Sequence, residues 1–205
     1  MINTREWSKH AKYRDLNPIS KYLVTNFFQS LRELFILVNA PTILDVGCGE
    51  GMVLKSMEDL MSDKQCSAID LDPKEIEDAK KNVEFCDFKV GSIYEIPFED
   101  NFASLVFCTE VLEHMDEPEK ALDELHRVTK EYAILSVPNE PLWRTLNMVR
   151  LKYWKDFGNT PDHKNHWSSN SFKRFIGSRF EIVKELNPIP WNCVLCKKKE
   201  ASSES

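Results

Sequence analysis

At 205 residues with a formal net charge of −6, the chain is sized for one domain. Hydrophobic residues at 42% and charged residues at 29% are globular values, which exclude a disordered chain and a membrane bundle. A pI near 5.5 disfavours non-specific phosphate-backbone binding, which draws on clustered Lys and Arg.

Residues 1–20 mix Arg5, Glu6, Lys9, Lys12, Arg14 and Asp15 with few apolar neighbours, so no signal-peptide core is expected. The longest apolar run, Leu34 to Val38, is far shorter than the ~20 residues that span a bilayer. Asn17-Pro18 is a capped helix opening, and Ile19, Leu23, Phe27, Leu31, Leu34 and Val38 then recur at helical spacing. Thr42 to Val46 reads as a strand, followed by a glycine cluster and a helix over Met52–Met61. Cys66–Asp70 is a second strand, and Asp72, Pro73 and Glu75 open a helix to Asn82. Val83–Val90 and the near-continuous apolar Ala103–Cys108 are the next two strands, the latter of the kind buried on both faces of a parallel sheet. A helix over Glu117–Val128 with Asp116 as its cap, a strand over Tyr132–Val137, an irregular stretch 138–168, a helix to Ile176, and strands near Phe180–Glu185 and Trp191–Cys196 complete the order.

Strands alternating with helices predict an α/β fold: a Rossmann-like, doubly wound, mostly parallel seven-stranded sheet with helices on both faces and an antiparallel C-terminal strand. One domain over 1–196 is expected, with 1–40 as a helical lid, 138–168 as an acceptor-side insert, and 197–205 as a tail. Cys193 and Cys196 form a lone C-x-x-C inside the alternating final strand, which reads as core because a zinc site needs further ligands. Six irregularly spaced cysteines agree with a reducing compartment, and a cytoplasmic protein is expected.

Three of the chain's six glycines, Gly47, Gly49 and Gly51, fall within five residues after the first strand, where open α/β sheets bind ligands. The pattern Asp45-Val-Gly47-Cys-Gly49-Glu-Gly51 lacks the dinucleotide fingerprint, because Met52 stands where the third glycine is required. A pyrophosphate would also lie beside Asp45, Glu50 and Asp70 with no lysine or arginine in the loop. A cationic ligand suits those acids better. S-adenosylmethionine carries an ammonium and a sulfonium and no phosphate, and Asp70, 19 positions past Gly51, sits where an acid accepts from both ribose hydroxyls.

The segments Ile43-Leu-Asp-Val-Gly-Cys-Gly-Glu-Gly51, Ala68-Ile-Asp-Leu-Asp-Pro73, Ile96-Pro-Phe98 and Cys108-Thr-Glu-Val-Leu-Glu-His114, with Arg127-Val128, resemble the class I S-adenosylmethionine-dependent methyltransferases. The resemblance covers about 17–140 and is nearest the methyltransferase type 11-like branch that includes quinone-biosynthesis and small-molecule enzymes. It implies that Asp45, Gly47 and Gly49 line the methionine end, that Asp70 holds the ribose and that Leu71 packs on adenine. It further implies that Ser92 and Ile93 flank the adenine edge, and that Cys108 and Thr109 give backbone near the methionine amine. Tyr13, Arg14 and Lys21 would form a lid, as N-terminal segments do in related enzymes. The chain departs from the family pattern at Ser92, where many relatives carry aspartate, at Ala103, and in lacking a Gly-Gly turn near Lys130-Glu131.

Methyl transfer from a sulfonium is an in-line displacement, in which positioning supplies much of the acceleration and a base helps where the acceptor is a hydroxyl. His114, His163 and His166 are the candidate bases, with Glu110 and Glu113 at the same mouth. The stretch 141–166 adds Trp143, Tyr153, Trp154 and Phe157 and a local charge of +3, from Arg144, Arg150, Lys152, Lys155 and Lys164 against Asp156 and Asp162. This suits an apolar acceptor with an anionic group or a helix resting on an anionic membrane surface, and a solvated helix face with an ordinary core stripe explains the same residues. No Asn/Asp-Pro-Pro-aromatic motif or Pro-Cys nucleophile of the DNA-directed enzymes occurs. The expectation is an enzyme that uses S-adenosylmethionine, releases S-adenosylhomocysteine and methylates a small-molecule or lipid-like acceptor. No metal, no nucleic-acid partner and at most peripheral membrane contact are expected, with a monomer or homodimer. The alternative is a non-catalytic cofactor-binding or partner-binding protein of the same fold.

Overall fold

The computed structural model of the chain describes residues 17–140, 142 and 163–200. Asn17 caps α1 (Pro18–Phe35): its side-chain oxygen accepts from the Ser20 N–H at 2.8 Å, and Pro18 is preset for the first turn. The helix buries Phe27, Phe28, Leu31, Leu34 and Phe35. It stops at Phe35, short of the expected Val38, because the chain tightens into turns in which Leu37 and Val38 N–H donate to Leu34 and Phe35 C=O.

Seven strands form one sheet in the order β3-β2-β1-β4-β5-β7-β6. They are β1 (Thr42–Val46), β2 (Gln65–Asp70), β3 (Cys86–Val90), β4 (Ala103–Thr109), β5 (Thr129–Pro138), β6 (Phe180–Leu186) and β7 (Trp191–Lys198). β1 to β5 are mutually parallel, and β7 runs antiparallel between β5 and β6. This is the doubly wound sheet with an antiparallel C-terminal strand that the sequence predicts. β4 is buried at every residue, as a central parallel strand covered on both sides must be.

Alternate residues of the sheet feed two separate cores. Ile43, Leu105, Phe107, Ile134, Cys193 and Leu195 pack under α1, α2 (Met52–Lys55) and α3 (Pro73–Asn82). Leu44, Val46, Val106, Leu135, Val194 and Cys196 pack on the other face under α4 (Pro118–Val128) and α5 (Ser169–Ile176). Cys193 and Cys196 thus lie fully buried on opposite faces, as core residues.

Several boundaries differ from the sequence reading for local reasons. The expected Met52–Met61 helix is the four-residue α2 followed by a 3-10 turn at Glu58–Leu60, since Ser56 Oγ bonds back to Val53 C=O at 2.6 Å and the next N–H groups turn tightly. β3 begins at Cys86 because the Val83 N–H still closes α3 on Ala79 C=O. The expected Asp116 cap is replaced: the Tyr94 hydroxyl accepts from Asp116 and Glu117 N–H at 3.0 and 3.2 Å, satisfying the start of α4 from another segment. β7 takes in Lys197 and Lys198, placed in the tail by sequence, because Lys198 Nζ donates to Asn101 Oδ1 and Thr129 C=O, both at 2.8 Å. Among the described residues no helix is long and apolar enough to cross a membrane. The lid residues Tyr13 and Arg14, and the insert's Trp143, Arg144, Arg150, Lys152, Tyr153, Trp154, Lys155, Asp156, Phe157 and Asp162, lie outside the described residues.

Candidate functional site

Beyond the carboxyl ends of β1, β2 and β4 opens a cavity of about 420 Å³, within the range of small-molecule sites. Its first wall is the glycine turn. Gly47, Gly49 and Gly51 all have φ between 51° and 77°, a region that side chains strain. At Gly47 a Cβ would also stand 2.4 Å from Val111 Cγ2, so bare backbone is required there twice over. The turn is tied to β2 by Gly47 and Cys48 N–H on Ile69 C=O.

Asp70 is held by two backbone donors, Gly49 N–H on Oδ2 at 2.8 Å and Asp72 N–H on Oδ1 at 3.0 Å. Each oxygen keeps acceptor capacity, and the residue lines the cavity. Leu71, 73% exposed, stands at the rim as an apolar shelf. Ser92, Ile93 and Tyr94 form the next stretch of wall, and Phe27 and Phe28 of α1 close the side that the sequence assigned to lid residues.

Asp45 and Cys108 are not among the residues lining the cavity; both are fully buried. Neither carboxylate oxygen of Asp45 has a hydrogen-bond partner among the described residues. Burial first, and then the charge of Asp70, push its carboxyl up to about 7. A buried acid left so is suited to a cation or a water-bridged ammonium at the glycine turn above it. On the β4 side, Thr109, Glu110 and Val111 make the wall instead of Cys108.

Past the cavity the chain gathers acids and imidazoles. Glu110 adopts φ 59° and accepts from Trp191 Nε1–H at 2.6 Å and Ser136 Oγ–H at 3.0 Å. A 3-10 turn, Leu112–His114, follows. It is clasped by the 163–167 segment: Lys164 and Asn165 N–H donate to Glu113 C=O, and Asn165 Nδ2 donates to Leu112 and Met115 C=O at 3.2 and 2.6 Å. That clasp brings His163 to Glu113 and His114, where one ligand atom from each lies within 4.8 Å of the others. The His114 and His163 rings meet edge to face at 5.2 Å.

Glu113 is buried with Oε2 unpartnered, and its carboxyl is pushed well above the usual range by burial, then by Glu110 and Glu140. Glu140, also buried, accepts from His163 Nδ1 at 2.6 Å and lies 3.4 Å from His166 Nδ1. Burial works to raise its carboxyl, but the bond to His163 and the two imidazoles outweigh that and hold it below the usual range. The two imidazoles of His114 and His163 with the Glu113 carboxylate make a donor set that could hold a first-row divalent cation.

The structure therefore brings Gly47, Gly49, Asp70, Leu71, Ser92, Ile93, Thr109 and His114 together around the cavity, with His163 beside His114 and His166 beside Glu140. Glu140, Phe27 and Phe28 were not anticipated, and the expectation of a metal-free site gave no role to the meeting of Glu113, His114 and His163.

Residues 44–137 match the family described as a methyltransferase domain. An uncharacterized methyltransferase of Schizosaccharomyces pombe is 33% identical over 99 residues, covering 43% of this chain and 36% of that protein. The small RNA 2'-O-methyltransferase of Arabidopsis thaliana is 27% identical over 201 residues, covering 84% of this chain and 21% of that protein. The chain thus spans little more than a third, or less, of these two relatives. Among solved structures, the magnesium protoporphyrin IX methyltransferase of Synechocystis PCC 6803 with bound S-adenosylhomocysteine superposes with a TM-score of 0.69, over 95% of this chain and 92% of that one. At 16% identity that likeness is one of fold.

Proposed function

We propose that the chain, whose residues 44–137 match the family described as a methyltransferase domain, is a class I S-adenosylmethionine-dependent methyltransferase that transfers a methyl group to a hydroxyl of its acceptor with help from a divalent cation. The observation that carries this reading is the convergence of Glu113, His114 and His163 at the edge of the cavity that His114 also lines.

The cavity suits the methyl donor. No lysine or arginine is among the described residues that line it, Asp70 keeps acceptor sites for ribose hydroxyls, and the unpartnered Asp45 lies beneath the turn for the methionine ammonium. Gly47 and Gly49 let the donor lie against backbone, Leu71 and Ile93 sandwich the adenine, and Ser92 meets its edge. Thr109 borders the methionine end with Cys108 behind it.

At the acceptor end Glu113, His114 and His163 would hold the cation, which would supply Lewis acidity toward an acceptor hydroxyl. The oxygen then attacks the methyl carbon in line: an O–CH3 bond forms, the S–CH3 bond breaks, and S-adenosylhomocysteine leaves. His166, with a third of its side chain exposed beside Glu140, takes the hydroxyl proton.

We propose a small or lipid-like hydroxyl compound as acceptor, in keeping with the −6 charge and the apolar rim. A ribose hydroxyl of RNA is the second reading. It is supported by the Arabidopsis thaliana relative, whose match covers too much of this chain to leave out Glu110 to His163.

The test is transfer of radiolabelled methyl, with Mn2+ or with a chelator, to quinols, phenols, sugars, polyprenol-like lipids and a short RNA with or without its terminal 2'-hydroxyl. Cation-dependent label on a hydroxyl compound is expected. Transfer indifferent to the chelator, or confined to amines, overturns the reading. Tight S-adenosylhomocysteine binding without transfer to any acceptor leaves the non-catalytic alternative standing instead.

A further inference from the structure

Glu140 is placed by backbone, not by the cofactor fold. Its N–H donates to Trp167 C=O at 3.1 Å, and the preceding Asn139 N–H donates to Pro190 C=O at 2.8 Å, so the end of β5 is pinned between the 163–167 segment and the start of β7. The side chain is 5% exposed, and that of His163 is 6% exposed. Oε2 of Glu140 has no hydrogen-bond partner among the described residues, and Oε1 bears on two imidazoles at once. A carboxylate left half-satisfied at such burial is costly unless it serves a neighbour.

The neighbour is His163. A short contact between Nδ1 and a carboxylate oxygen fixes the proton on Nδ1 and leaves the lone pair on Nε2. Without Glu140 the imidazole would divide between two tautomers, one of them unable to offer Nε2 as a ligand. Carboxylate–histidine pairs of this kind orient metal-binding rings and raise their basicity.

We infer that Glu140 is a positioning residue, whose carboxylate locks His163 in the Nδ1–H tautomer and so sets the affinity of the Glu113–His114–His163 cluster for a divalent cation. The cation half of this inference rests on the function proposed above; the tautomer half does not. His166, 3.4 Å from the same oxygen on the exposed side, is held by Glu140 more loosely.

Two measurements on the full chain separate the halves. In cation-free protein, nitrogen-15 NMR of the histidine rings should show His163 as the Nδ1–H tautomer. Glu140→Gln, which keeps the shape but loses the charge, should mix the tautomers or reverse them. Titration with Mn2+, followed by electron paramagnetic resonance, should give affinity 10–100-fold weaker in Glu140→Gln than in wild type. S-adenosylhomocysteine binding should stay within about twofold, which a general loss of structure would not allow.

Glu140→Asp, which restores the charge with a shorter reach, should recover part of the Mn2+ affinity. A wild-type His163 protonated on Nε2, or a Glu140→Gln variant with unchanged tautomer and unchanged Mn2+ affinity, overturns the inference. Failure of the wild type to bind Mn2+ overturns the cation-assisted function and with it the cation half. The NMR result still decides the tautomer. If Glu140→Gln does not fold, the wild-type tautomer and the Mn2+ affinity of Glu140→Asp decide between the two outcomes.

Discussion

Asp45 and Asp70 sit close together at the glycine turn and do different work. Asp70 is oriented by two N–H donors, so its replacement by alanine removes acceptors for a ribose and one of the turn's ties, the bond from Gly49 N–H. Cofactor affinity should fall by about 1.5–3 kcal/mol, the range for hydrogen bonds to a charged group, as read by calorimetry with S-adenosylhomocysteine. Unchanged affinity would place the ribose elsewhere. Asp45 titrates near 7 in the folded chain and near ~3.9 when unfolded. Between those values the folded state holds a proton that the unfolded state releases, so stability falls as pH rises across that window. The fall should be on the order of 4 kcal/mol. Thermal melts of the cofactor-free protein from pH 4 to 8 should show it, and Asp45→Asn should flatten it while weakening cofactor binding. A wild-type melting temperature that climbs through that range would contradict this assignment.

At the level of elements, the glycine turn and the acid ending β2 were legible, whereas His114, His163 and His166 were legible as residues but not as a cluster. The turn Gly47 to Gly51, the acid ending β2 and the caps Asn17, Asp72 and Ser168 are local signals, because each is satisfied within a few residues. The cluster beyond β4 is not. Glu113 and His114 reach His163 only because Lys164, Asn165 and the Asn165 amide grip a 3-10 turn far away in sequence, and no spacing rule announces such a clasp. The same holds for the start of α4, where Tyr94 displaces the cap expected from Asp116. Asn165→Ala tests the clasp. Losing two side-chain bonds should lower stability by about 1–3 kcal/mol. Mn2+ affinity should drop much further than S-adenosylhomocysteine affinity, since the cofactor wall does not depend on that amide. Equal losses of both would show that the two halves are mechanically one.

Taken as a whole, the molecule is an acid-rich sheet protein whose cavity is walled by the ends of β1, β2 and β4 on one side and by α1 on the other. Product cofactor at a hundredfold its dissociation constant should add about 2.7 kcal/mol, a rise in melting temperature of roughly 5–10 °C at this chain length. NADH should give no such rise. The −6 charge adds a condition for the RNA reading: binding of an RNA acceptor would have to come from ribose and base contacts, with only a shallow dependence on salt concentration.

β7 lies between β5 and β6 rather than at an edge, and its Trp191 supports Glu110 on the cavity wall. Because β7 follows both of its neighbours in the chain, the slot between them is filled only after β5 and β6 have been made. A chain cut before Trp191 would keep the glycine turn but deprive Glu110 of the indole that donates to it, so methyl transfer should be lost from such a truncation.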